Sequence, residues 1–158
     1  MLPGPVGSRP RAVTDTSSLF PSSLRRDIQL AAQAGAFEAI WSPWIIAELN
    51  RVLVWDWIKR SGNDLSRSNQ RRCSAAAQAM MALLLPTFQL ASPLPPYPPA
   101  WVSLRDQWDH PVWAAAKVSR AQFVISENIH DYPPLADGRH SYEGIEYLSE
   151  ARFVLLLS

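Results

Sequence analysis

The sequence of 158 residues has a single cysteine, Cys73, and almost no excess charge of either sign. One cysteine cannot form an internal disulfide, which fits a reducing compartment. The formal net charge of +1 excludes the polybasic class of nucleic-acid binders, whose affinity comes from an excess of cations. The length is that of one ordinary domain, and a hydrophobic content of 47% is sufficient for a buried core.

Long apolar segments are also lacking. The most apolar stretch, Cys73 to Leu85, has thirteen residues and is followed by Pro86, so it predicts a buried helix rather than a membrane span. The start of the chain, MLPGPVGSRPR, has three prolines and no apolar core, which excludes a signal peptide or an amphipathic transit helix. We therefore expect a soluble, cytoplasmic protein without a membrane partner, in which residues 1–10 form a flexible segment.

The common catalytic and metal-binding motifs are absent. The chain has no C-x-x-C, no H-E-x-x-H, no phosphate-binding G-x-x-x-x-G-K-[ST], no G-x-G-x-x-G and no G-x-S-x-G. Its three histidines, at positions 110, 130 and 140, lack the spacing of metal ligands. Cys73 lies in an apolar helix, which favours packing over nucleophilic chemistry. Carboxylates are therefore the remaining candidates for chemistry.

Proline, in contrast, is abundant: five of the fourteen prolines lie between Pro93 and Pro99, which predicts a loop over residues 92–100. Elsewhere, apolar runs typical of strands alternate with segments of helical periodicity. Strands are expected at residues 11–15, 37–41, 121–126 and 144–148, and helices at residues 24–35, 44–57, 68–85 and 110–119, with a short final element after residue 150. This alternation predicts one α/β domain with a mostly parallel sheet covered on both faces.

Charge is unevenly distributed along the chain. Residues 1–100 carry a net charge of +4 and residues 101–158 a net charge of −3. The basic residues concentrate between Arg51 and Arg72, and the acidic residues between Asp106 and Asp131. One chain therefore combines a surface that suits phosphate with a cluster of carboxylates.

Several acidic residues follow predicted strands. Asp15 ends the first strand, and ligands of open α/β sheets bind beyond such carboxyl ends; the alternative is that Asp15 caps the next helix. Glu127, Asn128 and Asp131 follow the strand at 121–126, where a polar turn is the alternative. Asp109 precedes a helix and is its natural N-cap.

Glu48 is the most informative carboxylate. On a helix that begins near residue 44, it falls on the apolar face beside Leu49 and Val52. A carboxylate buried alone is very costly, so it must be paired, protonated or metal-bound; the alternative is a boundary residue that pairs with Arg51. Acidic groups that converge at one sheet edge would form a hard-oxygen site suited to Mg²⁺ or Mn²⁺.

These acids occur in an order that resembles the PIN-domain nucleases, particularly the toxin-like PIN proteins of prokaryotic toxin–antitoxin systems. The similar segments are AVTDTSSLF, FEAIWSPWIIAELNRVL, DQWDHPVWAAAKVSRAQFVISENIHDYP and GIEYLSEARFVLLL, from about Arg11 to Leu157. The resemblance implies a single three-layer α/β/α PIN-like domain over residues 1–158. It also implies hydrolysis of RNA phosphodiester bonds with Mg²⁺ or Mn²⁺ as cofactor, and a cognate antitoxin protein as partner.

The resemblance assigns roles by position. Asp15, Glu48 and Asp109 are the catalytic residues and metal ligands, Asp106 and Asn128 are further metal ligands, and Ser17, Ser126 and Asp131 are supporting residues. The basic residues expected to contact RNA are Arg51, Lys59, Arg60, Arg71 and Arg72, although a solvated helix face would also explain them.

One position departs from the family pattern, because Asn128 stands where the family usually has Asp. A fourth anionic ligand is then missing unless Glu127 or Asp131 supplies it. The alternative function is therefore a catalytically weak or inactive PIN-like scaffold that binds RNA or a partner protein. A homodimer through the Trp-rich helices is a further expectation. An unrelated receiver or phosphatase domain is disfavoured by the missing D-x-D-x-[TV] at Asp15 and by the absence of a lysine at the end of a late strand.

Overall fold

The computed structural model describes residues 8–93, 109–130, 132 and 140–158. The strands in this part of the chain are β1 (Arg11–Thr14), β2 (Glu38–Trp41), β3 (Phe88–Leu90), β4 (Phe123–Ile125), β5 (His140–Tyr142) and β6 (Ile145–Leu148). The helices are α1 (Thr16–Leu19), α2 (Ser22–Gln33), α3 (Pro43–Arg60), α4 (Arg67–Leu84), α5 (His110–Ser119) and α6 (Glu150–Leu157).

The strands form one sheet in the order β3-β2-β1-β4-β6-β5. All neighbouring pairs are parallel except β5 and β6, which form an antiparallel hairpin. At its tip, Glu143 and Gly144 both have positive φ, of 49° and 79°, the backbone twist that a tight two-residue hairpin turn requires. The predicted α/β fold with a mostly parallel sheet is confirmed, with β5 as one antiparallel edge strand.

The central strands are buried because helices pack on both faces of the sheet, which gives the three-layer arrangement. All three residues of β4 are buried, as are the last three of β1 and of β2. Helix α5 packs against β1, β2 and β4, and its Trp113 is 1% exposed. Strands buried on both faces are continuously apolar, which explains why these segments lack alternation.

Helices α3 and α4 form a helical hairpin whose start and end are encoded locally. Ser42 caps α3 by accepting a hydrogen bond from the Ile45 backbone N–H, and Pro43 occupies its first position. The connection passes through Gly62 at a φ of +80°, and Ser66 caps α4. Helix α3 ends at Arg60, one turn beyond the predicted end near Trp57.

Some predicted features lie outside the described residues: the segment before residue 8, most of the proline-rich stretch at 92–100, Asp106 and Asp131. Two strands, β3 and β5, were not predicted. Among the described helices, none is both long and apolar enough to cross a membrane.

Candidate active site

The carboxyl ends of β1 and β4 meet because these two strands are adjacent and parallel. The Asp15 backbone N–H donates to the Ile125 carbonyl over 2.9 Å, which holds the two strand ends together. The Asp15 Oδ2 atom accepts hydrogen bonds from Ser17 Oγ at 2.9 Å and from Ser126 Oγ at 3.0 Å. Within the described residues its other oxygen, Oδ1, accepts none, so one side of the carboxylate is fixed and the other can meet a ligand.

The same two serines also fix the loop that follows β4. Ser17 Oγ accepts from the Glu127 backbone N–H at 3.0 Å, and Ser126 Oγ accepts from the Asn128 backbone N–H at 3.1 Å. Since each hydroxyl proton is given to Asp15, each serine passes a backbone dipole on to the same carboxylate oxygen. Asp15 and Asn128 are therefore held in a fixed relation.

Helix capping does not explain the two aspartates. Asp15 precedes α1 and Asp109 precedes α5, and the side chain of neither makes a capping hydrogen bond. Serines cap the helices that do have a side-chain cap. The capping role considered for Asp15 and Asp109 is therefore not the one that this structure shows.

Glu48 lies half-buried on α3 and faces Asp15. Burial, with the negative charge of Asp15 as a second cause, raises the pKa of the Glu48 carboxyl above its ordinary value. The charge of Arg51 acts in the opposite direction, but Glu48 makes no ion pair with any of the described cations. The side chains of Thr16 and Trp44 also lower this pKa, but burial and Asp15 outweigh these effects. The two carboxylates therefore repel each other without an ion-pair partner among the described residues, which costs stability until a cation is bound.

A cleft of about 580 Å³ opens at this point between the strand ends and α3. We call it the acidic cleft; it is lined by Asp15, Thr16, Ser17, Phe20, Glu48, Arg51, Val52, Trp55, Asp56, Lys59, Asp109 and Asn128. Four of these residues are carboxylates, and two cations, Arg51 and Lys59, stand at its wall. Of the predicted site residues, Asp15, Ser17, Glu48, Asp109 and Asn128 are brought together here, and Ser126 is buried beside them.

Two buried tyrosines lie near the carboxylates of the cleft. Tyr132 and Tyr147 stack with their ring centroids 3.6 Å apart, and both are buried. Burial raises the pKa of both hydroxyls, and the negative charges of Asp109 and Asp15 raise it further. Charges next to such a surface are poorly screened, so the carboxylates attract a cation more strongly than they would in water.

Glu127 does not replace the missing fourth carboxylate. Its Oε1 accepts a hydrogen bond from the Glu150 backbone N–H at 2.9 Å, at the start of α6, so this side chain serves a helix terminus. Asn128 is exposed and lines the acidic cleft. Among the described residues, the amide of Asn128 is therefore what the loop after β4 offers to a ligand.

The donor set fits a hard divalent cation. Asp15 and Glu48 supply carboxylate oxygens, Asp109 lines the same cleft, and Asn128 adds an amide oxygen. No three carboxylate, imidazole or thiolate groups in the described part of the chain come close enough to hold one ion. Mg²⁺ commonly binds through one or two carboxylates and retains several waters, so a pair of carboxylates with neighbouring polar groups suits it.

The predicted basic residues separate into two groups. Arg51 and Lys59 line the acidic cleft. Arg51 also lines a second cleft of about 740 Å³ between α3 and α4, here called the α3–α4 cleft, together with Arg71. Arg60 and Arg72 line neither of these two clefts. Arg60 pairs with Asp56 at 2.8 Å and Arg72 donates to the Asn69 side chain at 2.6 Å, and an RNA contact of these two residues stays a prediction.

Sequence reasoning did not identify five of the residues that line the acidic cleft, and two of these, Trp55 and Asp56, bear on its chemistry. Asp56 lies near the end of the predicted helix; it lines the cleft and pairs with Arg60. Trp55 is half exposed and belongs to the wall of both clefts. The spacing of Trp55, one helical turn after Arg51 and one turn before Lys59, could have predicted that it shares a helix face with these two cations.

The comparisons with known proteins address the family directly. A family model described as PIN domain matches residues 11–130, which includes β1 through β4 and every described residue of the acidic cleft. The search of curated proteins returned no match. The chain therefore belongs to the PIN-domain family and has a nuclease-type fold.

Proposed function

We propose that this protein is a metal-dependent endoribonuclease that hydrolyses phosphodiester bonds of RNA in the acidic cleft. The observation that carries the proposal is the half-buried pair of Asp15 and Glu48, which face each other without an ion-pair partner among the described residues. Such a pair destabilises the folded state, and a bound divalent cation would remove that cost. Sites that sacrifice stability in this way are typical of function.

Each residue of the cleft has a role in this proposal. Asp15 and Glu48 bind the cation, Mg²⁺ or Mn²⁺, directly, and Asp109 contacts it through a water that the ion retains. Asn128 and Asp106 are further ligands. When bound, the cation supplies Lewis-acid activation of water and of the phosphate. Ser17 and Ser126 keep Asp15 in one orientation through hydrogen bonds to Oδ2, which leaves Oδ1 for the ligand. Such outer groups fix both the direction and the basicity of a ligating carboxylate.

The basic side of the cleft suits a polyanionic substrate. Arg51 and Lys59 lie about two helical turns apart on α3, and both line the cleft. Cations in this position attract the phosphates of an RNA strand, while the carboxylates bind the metal ion. RNA as the substrate is proposed from the resemblance to toxin-like PIN proteins.

The experiment is a cleavage assay of purified protein with single-stranded RNA in Mn²⁺, in Mg²⁺ and in a chelator. We expect cleavage with either ion and none in the chelator. The matched control is Asp15→Asn, which keeps the size and the acceptor oxygen of the side chain. Cleavage that is equal in wild type and Asp15→Asn would overturn the proposal, because it would come from a contaminant or from another site.

Asn128 favours a second candidate, a PIN-like scaffold that binds RNA or a partner protein and cuts poorly. With an amide in place of a carboxylate, the site has one negative charge fewer to hold a second cation. Asn128→Asp separates the two functions. A variant that gains strong cleavage over an inactive wild type supports the scaffold, whereas an active wild type supports the nuclease.

The biological setting that we propose is that of a toxin in a type II toxin–antitoxin pair, acting in the cytoplasm and neutralised by a cognate antitoxin. The support is the resemblance of the ordered segments to toxin-like PIN proteins. Expression of the chain should arrest growth, Asp15→Asn should not, and co-expression of the protein from the neighbouring reading frame should restore growth. Sedimentation of the purified chain tests the proposed homodimer.

A further inference from the structure

Arg51 and Trp55 form a ridge between two clefts. They lie one helical turn apart on α3, and each belongs to the wall of the acidic cleft and of the α3–α4 cleft. Trp55 is 51% exposed, so a large part of its ring faces water. A tryptophan in this position presents a flat apolar face beside a guanidinium group, and a nucleotide base can stack on such a face.

The α3–α4 cleft has the opposite charge to the acidic cleft. Arg51 and Arg71 line it, and none of its described lining residues is acidic. Its volume of about 740 Å³ is in the range of sites that hold a small organic ligand. The cleft can therefore accept a phosphate group without a metal ion, whereas the carboxylates of the acidic cleft repel phosphate until a cation is bound there.

The remaining walls of the α3–α4 cleft suit a base rather than a phosphate alone. Leu65 lines it and is 58% exposed, which adds a second apolar surface. Asn50 also lines it, and its Oδ1 is buried without a hydrogen-bond partner among the described residues. The exposed faces of Leu65 and Trp55 are therefore the surfaces that suit the flat face of a base.

We propose that Trp55 is the stacking platform for one base of a single-stranded RNA, and that the α3–α4 cleft is the subsite for this nucleotide. The RNA strand crosses the ridge that Arg51 and Trp55 form, and its scissile phosphate lies in the acidic cleft. The neighbouring phosphates contact Arg51 and Arg71. This assignment rests on the proposed function, and it makes Trp55 a positioning residue that acts on the strand rather than on the reacting phosphate.

The experiment measures binding of fluorescently labelled octaadenylate RNA by anisotropy, in a chelator so that no strand is cut. A series of the same RNA, each with one abasic nucleotide at a different position, is compared on wild type, Trp55→Ala and Trp55→Phe. Leu83→Ala, which shortens another exposed apolar side chain on the neighbouring helix α4, is the control. Circular dichroism verifies that each variant is folded.

We expect Trp55→Ala to weaken binding of the intact RNA by about tenfold, the range found when one stacking aromatic side chain is removed. One abasic position should weaken binding to wild type by a similar factor and should have no further effect on Trp55→Ala. Trp55→Phe should retain part of that position's effect, and Leu83→Ala should behave as wild type. Loss of both effects together identifies the base that stacks on Trp55.

Three results would overturn the assignment. Trp55→Ala could bind the intact RNA as wild type does, or the abasic nucleotide could weaken its binding as much as it weakens that of wild type. The assignment also fails if wild type does not bind the RNA. If wild type cuts RNA and Asp15→Asn does not, these results leave the proposed nuclease intact and remove only the subsite. RNA binding through Trp55 by a protein that never cuts would instead reject the nuclease and keep the subsite.

Discussion

The two clefts share a wall but differ in how their side chains are held. In the acidic cleft, Asp15 is fixed by strand pairing and by two serine hydroxyls. In the α3–α4 cleft, Arg71 projects from a solvated helix surface. Chemistry requires atoms fixed within fractions of an ångström, whereas attraction of a phosphate requires only charge nearby. This difference agrees with the division that we propose, in which the sheet edge performs catalysis and the helical hairpin binds the RNA.

Asp15→Asn gives the largest expected effect and tests whether catalysis belongs to the acidic cleft alone. Cleavage should fall by more than the roughly 10–100-fold that is typical of a change behind a metal ligand, because Asp15 is proposed as a ligand itself. RNA affinity in a chelator should be equal or higher, since one negative charge is removed beside the strand. Gel assays measure cleavage, and anisotropy measures RNA affinity. A parallel loss of both would contradict the separation of catalysis and binding between the two clefts.

Ser126→Ala is expected to have the next largest effect. It removes one of the two hydroxyls that hold Asp15 Oδ2, so the affinity for Mn²⁺ should fall by about 10–100-fold. Titration with Mn²⁺ should show that high concentrations of the ion restore most of the cleavage. Ser141→Ala, on the edge strand β5, is the control and should titrate as wild type. A loss that no concentration of Mn²⁺ restores would contradict a positioning role.

Arg71→Gln addresses the α3–α4 cleft and should have a smaller effect. Loss of one phosphate contact should lower the slope of log affinity against log salt by about 0.7, the value for single-stranded nucleic acid. Cleavage at saturating RNA should not change, because Arg71 is outside the acidic cleft. The control is Arg67→Gln on the exposed start of α4. Equal salt slopes for Arg71→Gln and wild type would remove the cleft from the path of the strand.

The smallest expected effect concerns the pH dependence of stability, which Glu48→Gln tests. The folded state raises the pKa of Glu48 above its ordinary value of 4.5, so folded protein binds this proton more tightly than unfolded protein does. The free energy of unfolding therefore falls as pH rises from about 4.5 through the raised pKa. Urea denaturation in a chelator should show this fall in wild type and a shallower one in Glu48→Gln.

The exposed Glu143 provides the matched control for that measurement, as Glu143→Gln should follow the wild-type curve. Mn²⁺ should restore stability to wild type at neutral pH and have less effect on Glu48→Gln, because a cation that binds only folded protein stabilises it. Identical pH curves for wild type and Glu48→Gln would show that the carboxylate pair costs nothing.

Sequence alone predicts those elements whose signals are local. Ser42 followed by Pro43 predicts the start of α3, and continuous apolar runs predict β1, β2 and β4. Strands β3 and β5 have three residues each and exist because a neighbouring strand pairs with them. Most of their residues are exposed or half-buried, so they lack the continuous apolar run that predicts β4, a strand of the same length.

The residues of the candidate site likewise differ in whether they can be predicted from the sequence. The position of Glu48 on an apolar helix face and of Asp15 at a strand end can be predicted, because each depends on its own element. The hydrogen bond between Glu127 and the Glu150 backbone depends on how α6 packs after β6, which is a long-range contact. The role of Trp55 as a shared wall likewise depends on the packing of α3 against α4.

The hydrogen bond that Ser126 donates to Asp15 has a consequence for the order of folding. Ser126 and Asp15 are 111 residues apart in the chain, and contacts between such distant residues form late because a long loop must close first. A nascent chain that has emerged only through α4 already contains Asp15 and Glu48, but it lacks β4 and the hydroxyl that orients Asp15. We expect such a ribosome-bound fragment to be inert toward the messenger RNA beside it, so that competence arises only when synthesis has passed β4.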